Sequence, residues 1–543
     1  MFSFSILIGI YSYLIFAIGL LGLLHRQAIL LLTAVFFIFS IALFKRQIMS
    51  STKFLTKSIL VKALQGYSLY NLSFLLLSLL IIQSLINLIG VLGPELGFDA
   101  LWYHLTFPKL YIQNHAVIHI PGSVLYYSDM PRLTEMIYTA SLVFGNEILA
   151  KLIHFSFGLL SSLALYFLSR KFFDRKLSII AVIIFYSNLV VGWQSTTAYI
   201  DLARTFFEIM ALWGFINFLQ NKNKKWLVES AVMLGLAIST KLLAFGSLLI
   251  FTILICYFFA KAKKKTSYII TNILVYLCIS LLIPLPWFVF SFVHTGNPFY
   301  PLFTGIYPVS FSLGLLNPLT FLKEVLNLLI RSADPISPLY LIFLPLIVIY
   351  FRKFPKTLKF IGLYCLFAIL VWYFTPRTGG GRFILPYLPA FSILVVWVIK
   401  TFENKKEFKY LFMSLVILIS LTSITYRGVA NAKFVPVIFG KESKSHFLSN
   451  HLNFSFGDFY DTDGYFKKNI TSKSTVLLYG FHNLYYVNFP FIDSSWVKKG
   501  DVLNYIAAQN SDLPKRFSNW DLIYYNPKTR VSLYSLGGLK WTY

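Results

Sequence analysis

The chain of 543 residues is 57% hydrophobic and only 13% charged, about half the charged share of a soluble domain, so water is not its main solvent. Its formal charge of +27 sits in short Lys and Arg clusters between long apolar runs, a spacing that reads as membrane topology and excludes a nucleic-acid footprint. Cys256, Cys278 and Cys365 all fall inside apolar runs without a CxxC pair, which excludes a disulfide framework and a thiolate metal site.

From the N-terminus, Met1 to Leu24 has no basic leader and is followed directly by a second apolar run, so it reads as a retained first helix. A spanning helix needs about 20 mostly apolar residues. About thirteen such runs are expected, at 3–24, 28–44, 70–92, 147–169, 177–193, 200–219, 226–243, 244–260, 269–291, 336–351, 358–375, 383–400 and 409–426. The fold class is therefore mostly α and polytopic.

With a cytoplasmic N-terminus, the basic clusters at 45–62, 170–176, 222–225, 261–265, 352–359 and 400–409 all fall on the cytoplasmic side, as the positive-inside rule requires. The alternate loops, 93–146, 193–199, 292–335 and 376–382, are aromatic and poor in Lys and Arg, and are expected to be extracytoplasmic. The same count makes 1–426 the multi-pass domain and puts 427–543 outside as a small α/β domain. In that domain Val476–Tyr479 and Leu522–Tyr524 read as strands and Trp496–Ala508 as a helix.

The first outside loop gathers Asp99, Tyr103, His104, Lys109, His115, His119, Asp129, Arg132 and Glu135. Asp99 fits an N-cap ahead of a short helix, with Trp102, Tyr103, Phe107 and Tyr111 as an interfacial aromatic belt; it equally fits a carboxylate placed to take a proton from an alcohol. The next loop supplies Tyr199 and Asp201, with Arg204 three residues on and Glu208 one turn further. An Asp201–Arg204 structural pair and a wet substrate cavity both account for charges at that depth. Lys241 lies at the outer end of its helix, where it either snorkels or serves a site.

Arg377 and Arg382 flank Thr378-Gly379-Gly380-Gly381, which reads either as a flexible hairpin or, with Lys241 and Arg204 on the same side, as a place for an anionic oxygen such as phosphate. The histidines show neither HxxxH nor HExxH spacing, so no cofactor is indicated and a divalent metal held across loops has no motif behind it.

Taken together, Asp99-Ala100-Leu101-Trp102-Tyr103-His104 with Pro108-Lys109, Tyr199-Ile200-Asp201-Leu202-Ala203, Ser239-Thr240-Lys241, Thr295-Gly296-Asn297-Pro298-Phe299-Tyr300-Pro301 and Arg382-Phe383-Ile384-Leu385-Pro386 resemble the GT-C membrane glycosyltransferases. The similarity is to the bacterial branch related to protein mannosyltransferases and lipid A aminoarabinose transferases, and it covers residues 70–400. That family usually places its acidic loop after the first helix, whereas here two extra apolar runs precede it.

The resemblance implies a GT-C-like fold and a polyprenyl-phosphate-sugar donor held in the bilayer. It implies Asp99 as catalytic base, Asp201 as the second acidic residue, and Lys241, Arg377, Arg382 and Arg204 around the donor phosphate. Tyr103, His104, Lys109, Glu135 and Tyr199 would line the substrate cavity. The acceptor, whether lipid, glycan or protein, is not specified. Two other readings are a transporter or flippase of a polyprenyl-linked glycan, which needs no base near the cations, and a non-catalytic member of the same fold.

Overall fold

The computed structural model describes residues 1–58, 72–307, 313–330, 335–375 and 380–543. The chain is a multi-pass membrane protein: among the described residues, eight helices are long and apolar enough to cross a bilayer, or nine if one bent pair is a single span.

In chain order the principal helices are α1 (Phe2–Leu20), α2 (Arg26–Ser58), α3 (Leu72–Leu92), α4 (Thr106–Asn114), α5 (Leu133–Phe144), α6 (Glu147–Ser169), α7 (Arg175–Tyr186), α8 (Asp201–Asn221) and α9 (Lys224–Thr240). They continue as α10 (Phe245–Lys261), α11 (Thr266–Leu282), α12 (Leu285–Thr295), α13 (Pro318–Ile330), α14 (Leu339–Tyr350), α15 (Lys356–Phe374), α16 (Leu388–Thr401) and α17 (Lys406–Ala432).

Several of the thirteen apolar runs form helices shorter than a span, and the interruptions have local causes. The run 177–193 breaks at Asn188, whose amide nitrogen donates to the carbonyls of Ile184 and Phe185 and to the Tyr340 hydroxyl. The run 269–291 bends by 63° between α11 and α12, at the Ile283–Pro284 step where proline cannot donate to the helix ladder. Pro386 and Pro389 shorten the run 383–400 to α16.

Helix α8 occupies the centre of the bundle, buried along nearly its whole length. An ordinary surface helix has one apolar stripe, whereas α8 is apolar all round, with Phe206, Phe207, Ile209, Met210 and Phe215 on successive faces. Helices α1 and α2 lie at the periphery. Much of α2 turns Leu31, Val35, Phe37, Ile38 and Phe39 outward, a surface that only lipid or another apolar body would cover.

The C-terminal region forms a five-stranded sheet in the order β2-β1-β4-β6-β5, with strands β1 (Val476–Tyr479), β2 (Phe491–Asp493), β4 (Tyr505–Gln509), β5 (Asp521–Asn526) and β6 (Val531–Ser535). A separate antiparallel pair joins β3 (Val502–Leu503) to β7 (Trp541–Thr542). In the five-stranded sheet, β1 runs parallel to β2 and β4, while β6 is antiparallel to both β4 and β5.

The helix expected over Trp496–Ala508 is absent: β3 and β4 occupy its second half. Ile506, Ala507 and Ala508 are buried against β1 and β6, and Gly500, with φ of 98°, breaks the chain before them. Sheet pairing overrides a helical composition here.

The short connections around 93–132, 195–200, 241–244 and 380–387 meet at one end of the bundle, together with the sheet. The basic turns gather elsewhere: Lys171 reaches Gln220 at 3.2 Å, and Lys400 reaches the carbonyl of Phe172 at 3.3 Å.

Candidate functional site

The loop carrying Asp99 leaves α3 through Gly93-Pro94-Glu95 and enters a widened helical turn over Ala100–His104, closed by the Leu105 N–H on the Ala100 carbonyl at 2.9 Å. Such i→i+5 turns displace side chains from normal helical register. The Asp99 side chain makes no cap bond to this turn, so the N-cap reading of it fails. Its Oδ2 instead accepts from the Tyr103 hydroxyl at 2.9 Å and from Arg382 Nη1 at 2.5 Å, while the Asp99 N–H donates to the Tyr199 hydroxyl at 3.1 Å.

Asp201 opens α8, where the partial positive charge of the helix N-terminus favours a carboxylate. His154, on α6, sets this end. Its Nε2 accepts the Leu202 N–H at 3.0 Å, which leaves the Nδ1 proton to donate to the Thr197 carbonyl at 2.8 Å. Asp201 is fully enclosed, with Lys241 Nζ 2.7 Å from Oδ1 and Arg382 Nε 2.7 Å from Oδ2. Arg382 also lies over the Tyr199 ring, 4.5 Å from its centroid, and Lys241 over Phe383 at 5.3 Å.

A continuous chain of charge thus runs Asp99–Arg382–Asp201–Lys241. It borders a cavity of about 810 Å³ whose wall includes Asp99, Tyr103, His104, Glu135, Lys241 and Arg382. Much of the remaining wall is apolar, with Leu242, Leu243, Phe245, Phe299, Leu302 and Phe383. A second buried cluster stands on the same wall, where His104 Nδ1 lies 2.8 Å from Glu135 Oε1 and Arg132 Nη1 3.4 Å from the same oxygen. The Arg132 guanidinium covers the Phe107 ring at 3.7 Å.

Burial pushes the Asp99 carboxyl up, but the charges of Arg382, His104 and Lys241 and the hydrogen bond from Arg382 together outweigh it and leave the carboxyl below its ordinary range. Burial also lowers His104, against the upward pull of Glu135.

The sequence-derived residues divide. Asp99, Tyr103, His104, Glu135, Lys241 and Arg382 line the cavity, while Asp201 and Tyr199 stand behind them in direct contact with Arg382. Arg204 does not pair with Asp201. Its Nε lies 2.6 Å from Glu208 Oε1, and its Nη2 reaches the Leu243 carbonyl and the Tyr387 hydroxyl, each at 3.3 Å, so this cation is engaged inside the core and does not line the cavity. The four-residue spacing to Glu208 lets the two side chains meet one turn apart, which the three-residue spacing to Asp201 did not win.

Lys109 also turns away from the cavity. Its Nζ donates to the carbonyls of Leu484 at 3.3 Å, Tyr485 at 2.8 Å and Val487, fastening α4 to the sheet domain. Arg377 lies outside the described residues. Among those residues no group of three or more His, Cys, Asp or Glu side chains is arranged to hold a metal ion.

Residues 136–290 match the family model for dolichyl-phosphate-mannose-protein mannosyltransferase, a stretch that contains Asp201 and Lys241 but not Asp99 or Arg382. No curated protein sequence matches the chain. The crystal structure of ArnT from Cupriavidus metallidurans bound to undecaprenyl phosphate superposes with a TM-score of 0.59 at 11% identity, covering 86% of this chain and 98% of that one. The apo form of the same protein gives 0.58 at 12% identity, with 85% and 97% covered. At that identity the likeness is one of fold: this chain shares the ArnT architecture over most of its length.

Two parts of the site escaped the sequence. Arg132 was visible as a charge in the first loop, but nothing marked it as a cavity residue; the Pro131 that precedes it was the only local signal. Glu95, immediately after a long apolar run, carries no motif and reaches its partners only through backbone amides.

Proposed function

We propose that the chain transfers a sugar from a polyprenyl-phosphate-linked donor to an acceptor at the end of the bundle that carries the sheet domain. That end is extracytoplasmic in this reading, the N-terminus is cytoplasmic, and the chain divides into a membrane domain over 1–426 and an outer domain over 427–543. The observation that carries the proposal is one guanidinium, Arg382, within 2.7 Å of both candidate carboxylates at the wall of a cavity with a largely apolar lining.

A lipid-linked donor needs this combination. The prenyl chain stays against apolar side chains such as Leu242 and Phe245, while the phosphate meets Lys241 and Arg382. The undecaprenyl phosphate bound by the fold's relative ArnT is a ligand of that kind.

In the reaction Asp99 takes the hydroxyl proton of the acceptor, the acceptor oxygen bonds to the sugar C1, and the bond from C1 to the lipid phosphate breaks with its electron pair on phosphate. Charge grows on that phosphate, so Lys241 and Arg382 lower the barrier. Asp201 keeps both cations in place. In the resting site Arg382 makes Asp99 a weak base; a phosphate that draws Arg382 away restores its basicity. Tyr103, His104 and Glu135 shape the acceptor side.

A carrier for a polyprenyl-linked glycan would need no base near its cations, and the 2.5 Å contact between Asp99 and Arg382 favours transfer over carriage. The test is Asp99→Asn in the purified protein with a polyprenyl-phosphate sugar and candidate acceptors. Loss of transfer with an unchanged fold is expected; unchanged transfer removes Asp99 as the base.

A further inference from the structure

We propose that Glu95 is a positioning residue which sets the spacing between the two acidic loops of the site. Its carboxylate is 1% exposed and does not line the cavity, so it has no access to substrate. Oε1 accepts the N–H groups of Leu96 at 2.9 Å and Gly97 at 2.6 Å, and Oε2 accepts the N–H of Ala198 at 2.6 Å. Gly97 stands two residues before Asp99, and Ala198 three before Asp201. One side chain therefore ties together the backbones from which both carboxylates project.

The surroundings leave this clasp little freedom. Lys151 Nζ donates to the carbonyls of Gly90 at 2.9 Å, Gly93 at 2.7 Å and Pro94 at 3.3 Å, holding the chain just before Glu95. The Tyr486 hydroxyl donates to the Glu95 carbonyl at 3.0 Å. At Gly97 a Cβ would come within 2.9 Å of Glu95 Oε1 and 3.0 Å of the Tyr199 ring, so the loops approach as closely as a bare backbone permits. The Asp99 N–H bond to Tyr199 is the second cross-link between them.

Bridging two donors requires an acceptor at both ends of the side chain, which a carboxylate has and a carboxamide lacks. Glu95→Gln keeps shape and volume but turns an N–H₂ toward one of the loops, opposing donor to donor. The two loops then lose their common anchor while every residue that touches substrate is retained.

The kinetic part rests on the sugar-transfer reading; the structural part does not. On the purified full chain in detergent or nanodiscs, hydrogen exchange in peptides spanning 95–101 and 196–201 is expected to rise in Glu95→Gln and to stay as in wild type elsewhere. With a polyprenyl-phosphate sugar, kcat is expected to fall about 10- to 100-fold, the scale of a misplacement of about 1 Å, with donor KM within about threefold of wild type.

Exchange unchanged in either loop overturns the clasp. Faster exchange in both loops with wild-type kcat overturns its positioning role. If Glu95→Gln does not fold, wild-type exchange decides: slow amides at Gly97 and Ala198 are expected, and fast ones overturn the proposal. Absence of any transfer by wild-type protein defeats the sugar-transfer reading and leaves the clasp to be judged on exchange.

Discussion

Asp99 and Asp201 share one partner: Arg382 places Nη1 2.5 Å from the first carboxylate and Nε 2.7 Å from the second. Its planar fork can serve two acids at once in a way that an ammonium cannot. Arg382→Lys is therefore expected to behave like a loss of function, with direct donor binding weakened at least about tenfold, close to 1.4 kcal/mol. Arg382→Met removes the charge altogether, leaves Asp99 without its cation and Asp201 with Lys241 alone, and is expected to cost about 3 kcal/mol of stability. A thermal transition and a binding isotherm check both.

Lys241→Ala is expected to weaken donor affinity with little change in the acceptor KM, since Lys241 borders the cavity and hydrogen-bonds Asp201 rather than Asp99. Wild-type donor affinity in both Lys241→Ala and Arg382→Ala would end the assignment of phosphate to these cations.

Acid sensitivity follows from the direction of the Asp99 shift. Its folded carboxyl sits below the unfolded value of 3.8, so the stability it contributes is full above that value and is lost as pH falls through the lower folded one. The difference in unfolding temperature between wild type and Asp99→Asn should therefore stay constant from about pH 5 to 8 and shrink only in stronger acid. A difference that fades between pH 7 and 5 would contradict the Arg382 contact.

Arg204→Met is expected to act on stability rather than on donor binding. The pair with Glu208 is buried in α8, so removing one member leaves an uncompensated charge and costs about 3–5 kcal/mol. Replacing both, as Arg204→Met with Glu208→Leu, should recover much of that loss in a thermal melt. Donor affinity should be unchanged in both variants.

Much of this molecule was legible in the sequence because membrane helices announce themselves by length and composition. The runs at 147–169 and 200–219 became α6 and α8 with ends within two residues of those expected. Asp99, Lys241 and Arg382 were legible as charges stranded on the side away from the basic turns. The assignments that failed depended on contacts rather than on composition. Arg204 chose Glu208, Lys109 chose three carbonyls nearly four hundred residues away, and Trp496–Ala508 yielded to strands supplied by 476–479 and 531–535. Glu95 works through main-chain amides, which every residue but proline offers, so no side-chain pattern could have marked it.

Lys109 grips the backbone at 484–487 from the helix that follows the Asp99 turn, and Tyr485 returns an N–H to the Leu101 carbonyl at 3.2 Å. The sheet domain is therefore masonry under the acidic loop as well as a separate fold. A chain truncated after α17 would keep every charged group of the cavity and still lose the floor on which Asp99 rests. Such a deletion is the wrong tool for asking what the sheet domain does by itself; substitutions on its far strand, β5, leave that floor in place.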